Sequence, residues 1–333
     1  MSNTFKALIA KEESEKFTTT ITDLEHSDLP PGDTLVKVNY SSLNYKDGMA
    51  LNGNIGRILR TLPMAPGIDL AGIIESSENS KFRSGDEVIL TGWGVGERHS
   101  GGYSQFARVK SEWLVHKPNT ISLKHSMTVG TAGLTAMLSV IALQESNVDP
   151  SKGEILVTGA SGGVGNISVL ILSKLGYQVT AVTGRPELSS YLKKLGANKV
   201  IARDEILSMT RPLNSSQWAG AIDTTGGKIL ANVLTAIDYD GVVACCGNAA
   251  GNSLETTVLP FILRKISLVG IDSVICPIDQ RITAWEKIGT LIDPSEFDSI
   301  TETVSLTGVT QSAKDILEGK VRGRTVVDVN NLD

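Results

Sequence analysis

The chain has 333 residues, 41% of them apolar, and a formal net charge of -5. That length points to two domains with a sizeable apolar core. A mildly acidic chain with no basic run longer than two residues is not expected to bind nucleic acid, nor does any uninterrupted apolar stretch suggest a membrane span.

Residues 1–125 read as β-rich. Short runs with alternating or β-branched character occur at 5–10, 18–22, 34–40, 69–75, 87–91 and 103–110. Turn formers separate them, among them Pro30-Pro31-Gly32-Asp33, Gly85-Asp86, Gly92 and Gly101-Gly102. This spacing predicts a compact, barrel-like β domain. Residues 42–51 depart from it, with a loop-to-helix pattern just after a strand, a position suited to a site. Residues 126–145 turn helical. The small residues Thr131-Ala132-Gly133-Leu134-Thr135-Ala136 at their centre admit either a packed helix or a cofactor.

From Glu154 onward, strands and helices alternate. The apolar run Ile155-Leu156-Val157 breaks into Thr158-Gly159-Ala160-Ser161-Gly162-Gly163-Val164-Gly165, and a helical pattern continues to Leu175. Strand, glycine turn and helix in that order open a dinucleotide-binding βαβ unit. The unpaired N–H groups at such a helix start carry partial positive charge and suit a pyrophosphate. Further strands are predicted at 177–183, 200–201, 220–223, 241–246 and 266–271, with helices at 186–195 and 228–237 between them. Alternation of this kind means a parallel sheet with helices on its faces. In the tail, a helix at 280–291, a strand at 301–305, a helix at 309–318 and a strand at 324–329 are expected, the last returning to the first domain.

The end of the second strand of the βαβ unit selects the cofactor. Enzymes selective for NAD place an acidic residue there for the ribose 2′-OH. This chain has Thr183-Gly184-Arg185 instead. Arg185 can pair bidentately with a phosphate, and Arg203, after the third strand, can add a second cation. NADPH is therefore expected over NADH.

Five segments resemble the medium-chain dehydrogenase/reductase family: Ser42-Leu43-Asn44-Tyr45-Lys46-Asp47, Pro66-Gly67-Ile68-Asp69-Leu70-Ala71-Gly72, Gly85-Asp86-Glu87-Val88, the stretch 131–136 and the turn 159–165. Where the zinc branch of that family has a cysteine and a histidine ligand, this chain has Asn44 and Ile68, and the four-cysteine structural cluster is missing. Neither amide nor hydrocarbon replaces a thiolate or imidazole on zinc, so no metal is expected. His26, His99, His116 and His125 show no ligand spacing. Without a metal to polarise an isolated carbonyl, an activated double bond is the easier hydride acceptor, because donors to an enolate oxygen then suffice.

Longer motifs narrow the likeness. Leu90-Thr91-Gly92-Trp93-Gly94-Val95-Gly96-Glu97, Trp218-Ala219-Gly220-Ala221-Ile222-Asp223-Thr224, Pro260-Phe261-Ile262-Leu263-Arg264 and Gly270-Ile271-Asp272-Ser273-Val274 are similar to the acrylyl-CoA reductase subfamily, also described as quinone oxidoreductases. The resemblance implies an α/β protein, with a Rossmann-type doubly wound parallel sheet at 125–298. A GroES-like, partly open β-barrel would comprise 1–124 with 299–333. NADPH and substrate would share the cleft between them. The resemblance sets Tyr45 at the nicotinamide end, as proton donor or as positioning group. Ser161, Gly162, Gly163 and Val164 fall at the pyrophosphate, and Thr183, Gly184, Arg185 and Arg203 around the adenosine phosphate. Asn248 and Ser273 fall on the nicotinamide side. The implied reaction is NADPH-dependent reduction of a short 2-enoyl-CoA, with a quinone or general enone as the alternative substrate. A CoA substrate needs cations, for which Arg57, Arg60 and Arg98 are candidates. A homodimer paired through residues 266–271 is expected from the family. Met1–Ala10 lacks a signal-peptide core, and three cysteines form no disulfide framework, so a cytoplasmic setting is expected.

Overall fold

A computed structural model describes residues 4–333; the first three residues of the expected barrel domain lie outside the described residues. The chain divides into two compact units, residues 4–131 with 273–333 and residues 132–272.

The first unit opens with an antiparallel hairpin of β1 (Thr4–Glu13) and β2 (Lys16–Glu25). A second sheet begins with β3 (Thr34–Leu43), which leads through Asn44 into α1 (Tyr45–Leu51). It continues with β4 (Asp69–Ser77), β5 (Glu87–Thr91), β6 (Phe106–Val109) and the short β7 (Val115–His116). Alternate residues of a strand share one face. Val36 and Val38 of β3 accordingly bury into one core with Val88 and Leu90 of β5, joined by Leu70 and Val109. Next comes α2 (Leu123–Glu145), broken at Gly130, whose φ of 49° and ψ of -157° are not helical. By length and a mean hydropathy of 1.6, α2 could cross a membrane, but 83% of its apolar window is buried within the protein, as in a core helix.

The second unit holds β8 (Ile155–Val157), α3 (Gly163–Lys174), β9 (Val179–Thr183), α4 (Ser189–Lys194), β10 (Lys199–Ala202) and α5 (Arg203–Leu207). After them come β11 (Trp218–Asp223), α6 (Gly227–Leu234), β12 (Ile237–Cys245), α7 (Leu259–Arg264) and β13 (Ser267–Gly270). Its six strands are all parallel and run β10-β9-β8-β11-β12-β13. Strand order reverses between β8 and β11, the switch point where such sheets bind ligands at the strands' carboxyl ends. Ile155, Leu156 and Val157 are fully buried, as a strand covered on both faces requires. The helix expected at 186–195 is a 3-10 turn followed by α4. Neither α5 nor α7 shows in the sequence pattern, because five or six residues complete too few turns for periodicity to register.

The chain ends in the first unit with α8 (Ile278–Leu291), α9 (Pro294–Ile300), β14 (Thr301–Ser305), α10 (Val309–Leu317) and β15 (Arg324–Asp328). The last strand pairs antiparallel with β3 and parallel with β14, so it does return to the first sheet. Residues 273–298 group with this unit, whereas the resemblance carries the nucleotide domain to residue 298. Arg281 of α8 explains the difference. Its buried guanidinium donates to the Thr91 carbonyl and hydroxyl, both at 2.7 Å, tying the helix to β5.

Candidate active site

The glycine turn sits at the carboxyl end of β8, beside the switch point. A Cβ on Gly165 would lie 2.4 Å from the Gly159 carbonyl oxygen, so helix and turn can pack this closely only with glycine there. The first intrahelical bond runs from Asn166 N–H to the Gly162 carbonyl at 2.9 Å. The N–H groups of Gly163 and Val164 therefore precede the helical ladder, as donors to an anion must.

Beside this helix start the structure groups five of the expected residues. Arg185 Nη2 donates to Ser161 Oγ at 2.9 Å and to the Ser161 carbonyl at 3.3 Å. The Arg185 N–H donates to Thr183 Oγ1 at 3.0 Å, and the Ser161 and Thr183 hydroxyls lie 3.3 Å apart. Gly184 lies against the Arg203 guanidinium: a Cβ there would stand 3.3 Å from Arg203 Nη1. Two guanidinium groups thus flank the end of β9, bracketing the place where an acidic residue would repel a 2′-phosphate. Asn248 is not part of this group; it lies exposed in the loop after β12, close to Gly226.

Sequence reasoning missed Asp223, which lies across the switch point at the end of β11. It accepts from Thr158 Oγ1 at 2.7 Å, Thr225 Oγ1 at 2.9 Å and Gly226 N–H at 2.7 Å. Burial still pushes its carboxyl above the usual range. Burial, and then the Asp223 charge, also raise the neighbouring Cys246 thiol to about 12, so that cysteine is packing rather than a nucleophile.

In the first unit, Tyr45 opens α1 and is 45% exposed. Asn44 is extended (φ -118°, ψ 163°) and caps the helix, while Asp47 at the third helical position accepts the Asn44 N–H at 2.9 Å. That reciprocal arrangement is why Ser42–Asp47 turns from strand to helix so abruptly. Lys46 Nζ meets Glu97 Oε1 at 2.7 Å, joining this turn to residues 94–99. Ser273 is buried in the same unit, and its carbonyl accepts from Arg281 Nη2 at 3.0 Å.

Behind Tyr45 lies a buried polar network. Asp69 accepts from Ser42 Oγ at 2.6 Å, from Asn44 Nδ2 at 2.9 Å, and from the Thr131 N–H and hydroxyl. Asp47 accepts a further N–H from Ile68 at 3.0 Å. Arg324 of β15 is the cation of the network, donating to Ser42 Oγ at 3.0 Å and to the Thr128 and Leu43 carbonyls. The Tyr103 hydroxyl donates to the Ser42 carbonyl at 3.2 Å, and burial keeps that phenol well above its usual range. Burial, then repulsion from Asp69, raises the Asp47 carboxyl to about 7 against three N–H bonds that favour its charge. Gly130 fits into this cluster because it carries no side chain; a Cβ would lie 2.6 Å from Asp69 Oδ2.

Asn44 and Ile68 stand at the positions that the resemblance matches to ligands of the zinc branch. The Asn44 amide is engaged with carboxylates and a hydroxyl, and Ile68 contributes a buried hydrocarbon side chain. Among the described residues no group of three or more His, Cys, Asp or Glu could hold a metal ion.

Comparison with known proteins agrees with this architecture. Residues 30–119 match the alcohol dehydrogenase GroES-like domain, and residues 163–288 match the zinc-binding dehydrogenase family. Acrylyl-CoA reductase AcuI of Ruegeria pomeroyi is 47% identical over 329 residues, covering 98% of this chain and 99% of that protein. The crystal structure of the yhdH oxidoreductase from Salmonella enterica in complex with NADP is 48% identical, with a TM-score of 0.95 over 97% of this chain and 99% of that one. The Bacillus subtilis yhfP structure, with NAD bound, is 44% identical with a TM-score of 0.94, covering 98% of this chain and 100% of that one. Fold, glycine turn and barrel sheet thus define a nucleotide-dependent oxidoreductase of two units. The chain belongs to the medium-chain dehydrogenase/reductase superfamily and, within it, to the acrylyl-CoA reductase AcuI family.

Proposed function

We propose that this protein is an NADPH-dependent reductase of the activated C=C bond of short 2-enoyl-CoA thioesters, converting acrylyl-CoA to propionyl-CoA. The observation that carries the cofactor is the pair of guanidinium groups, Arg185 and Arg203, around Gly184 at the end of β9. They fit a 2′-phosphate in charge and geometry. Ser161, Gly162, Gly163 and Val164 bind the pyrophosphate at the start of α3, and Asn248 and Ser273 serve the nicotinamide side. When bound, NADPH supplies the hydride that adds to the β-carbon of the thioester.

The chain's own groups do the rest. Negative charge gathers on the thioester oxygen, so donors are needed there rather than a metal. Tyr45 is the residue we assign to the reacting end, since its phenol is exposed on a rigid helix start. It donates a proton toward the α-carbon or holds the thioester oxygen by a hydrogen bond. Asn44, Asp47, Asp69 and Arg324 hold the helix start that carries it. Two copies of the chain pair through β13, which has a strand neighbour on one side only and lies in sequence just after exposed Ile262 and Leu263. The thiols of Cys245 and Cys246 are free, which suits the reducing cytoplasm where we place the protein.

The test is NADPH oxidation with acrylyl-CoA, a free enone and a quinone. We expect acrylyl-CoA to give the highest kcat/KM; a quinone preferred by about tenfold, some 1.4 kcal/mol in transition-state binding, would overturn the reading. Tyr45→Phe then separates the two roles of the phenol. Loss of a proton donor lowers kcat by about 100-fold, whereas loss of a positioning hydrogen bond costs about tenfold, mostly in KM.

A further inference from the structure

We propose that Arg57, Arg60 and Arg98 form the site for the phosphates of the coenzyme A moiety. This deepens the function proposed above and rests on it. The three arginines come from two loops that the fold stitches together. Arg60 N–H donates to the Glu97 carbonyl at 2.7 Å, so Arg60 lies beside the residue preceding Arg98. Arg98 lays its stem along Gly94, where a Cβ would stand 3.8 Å from the Arg98 Cβ, and its N–H donates to the Gly94 carbonyl at 2.8 Å. Arg57 is three residues before Arg60, in the turn that follows α1.

That turn is held in an unusual shape. Gly53, Asn54, Gly56 and Arg57 all have positive φ (79°, 51°, 68° and 53°). Arginine gains nothing intrinsic from a left-handed backbone, so its presence there calls for an explanation. The Asn54 side chain locks the conformation, donating to the Leu59 carbonyl at 2.9 Å and accepting the Leu59 N–H at 2.8 Å. The loop is therefore a rigid mount for cations, not a slack connection.

The electrostatics point to an anionic ligand. All three side chains are exposed. Among the described residues none of the three guanidinium groups makes an ion pair or a hydrogen bond. Glu97, the carboxylate between Arg60 and Arg98, is already neutralised by Lys46 at 2.7 Å. Positive charge is thus left uncompensated on loops bonded to the helix turn that carries Tyr45. Planar guanidinium forks match a diphosphate and a phosphomonoester, which coenzyme A carries together. A quinone or free enone carries neither group.

The experiment compares acrylyl-CoA with acrylyl-pantetheine thioester, which keeps the reacting group and lacks the phosphates. Wild type should prefer the CoA thioester by about tenfold or more in kcat/KM, chiefly through KM, and lose that preference as salt rises. In Arg57→Ala/Arg60→Ala/Arg98→Ala the preference should fall to about threefold or less, with Arg60→Ala and Arg98→Ala each intermediate. The single variants decide the matter if the triple variant does not fold. A preference that survives in the variants, or that wild type never shows, overturns the assignment. Failure of the parent reading looks different: wild type would then reduce a quinone or free enone and neither thioester, and both proposals would fall.

Discussion

The barrel unit and the nucleotide unit each concentrate charge, and they do so in opposite ways. Asp47, Asp69 and Arg324 are buried, and each finds its partners inside the fold. The first-unit cluster is closed: Ser42, Asn44 and Thr131 direct their hydrogens inward at the carboxylates. In the nucleotide unit, Arg185 leans on the neutral oxygens of Ser161, and Arg203 lies across a glycine. The contrast sets charge that holds a shape against charge that we propose meets the cofactor phosphate. Substitutions in the closed cluster should act on stability, and those in the open one on affinity.

The largest effect is expected at Arg324. Arg324→Ala leaves two buried carboxylates without their cation, a change that typically costs about 3–5 kcal/mol. Urea unfolding, monitored by tryptophan fluorescence, measures it. A loss below about 1 kcal/mol would mean that water or protonation compensates for the guanidinium, and the cluster would not be closed as described.

Arg185 supplies the opposite case. Arg185→Ala should raise the KM for NADPH by about 10- to 100-fold, as expected for a charge-assisted contact of about 1.5–3 kcal/mol. Its effect on NADH, which lacks the phosphate, should be small, and the unfolding midpoint should hardly move. Because a 44% identical relative has been solved with NAD bound, the NADPH to NADH ratio is the informative readout. An unchanged NADPH affinity would show that the open cluster does not hold the phosphate.

The two clusters also differed in how far the sequence revealed them. The nucleotide cluster was legible because its parts are local to a recurring pattern: glycines after a strand, then a polar triplet at the next strand's end. Thr183, Gly184 and Arg185 follow the turn at the distance that pattern dictates. The barrel cluster is assembled from residues 42–47, 69, 103, 131 and 324, and no sequence period relates them. One signal was present, in Ile68-Asp69-Leu70-Ala71, where a carboxylate stands in an apolar strand and must find partners. Nothing in that signal named Arg324. Arg281 likewise joins α8 to Thr91 across 190 positions that no local pattern relates.

The smallest of the three effects lies in the pH dependence of the closed cluster. Asp47 ionises near pH 7 in the folded protein and near its ordinary 3.8 when exposed. Between these values the folded state binds more protons than the unfolded one, so this group's contribution falls as pH rises through the window and levels off above it. Asp47→Asn removes the titration and keeps one acceptor oxygen for the Asn44 or Ile68 N–H. The stability difference, wild type minus variant, should therefore decline by at least about 1 kcal/mol from pH 4 to pH 7. Measuring it as a difference cancels the carboxylates that both proteins share. A difference that rises with pH would mean that the three N–H bonds outweigh burial and the Asp69 charge. The carboxyl would then lie below its ordinary value, and the cluster would be stabilised by two anions rather than strained by the second.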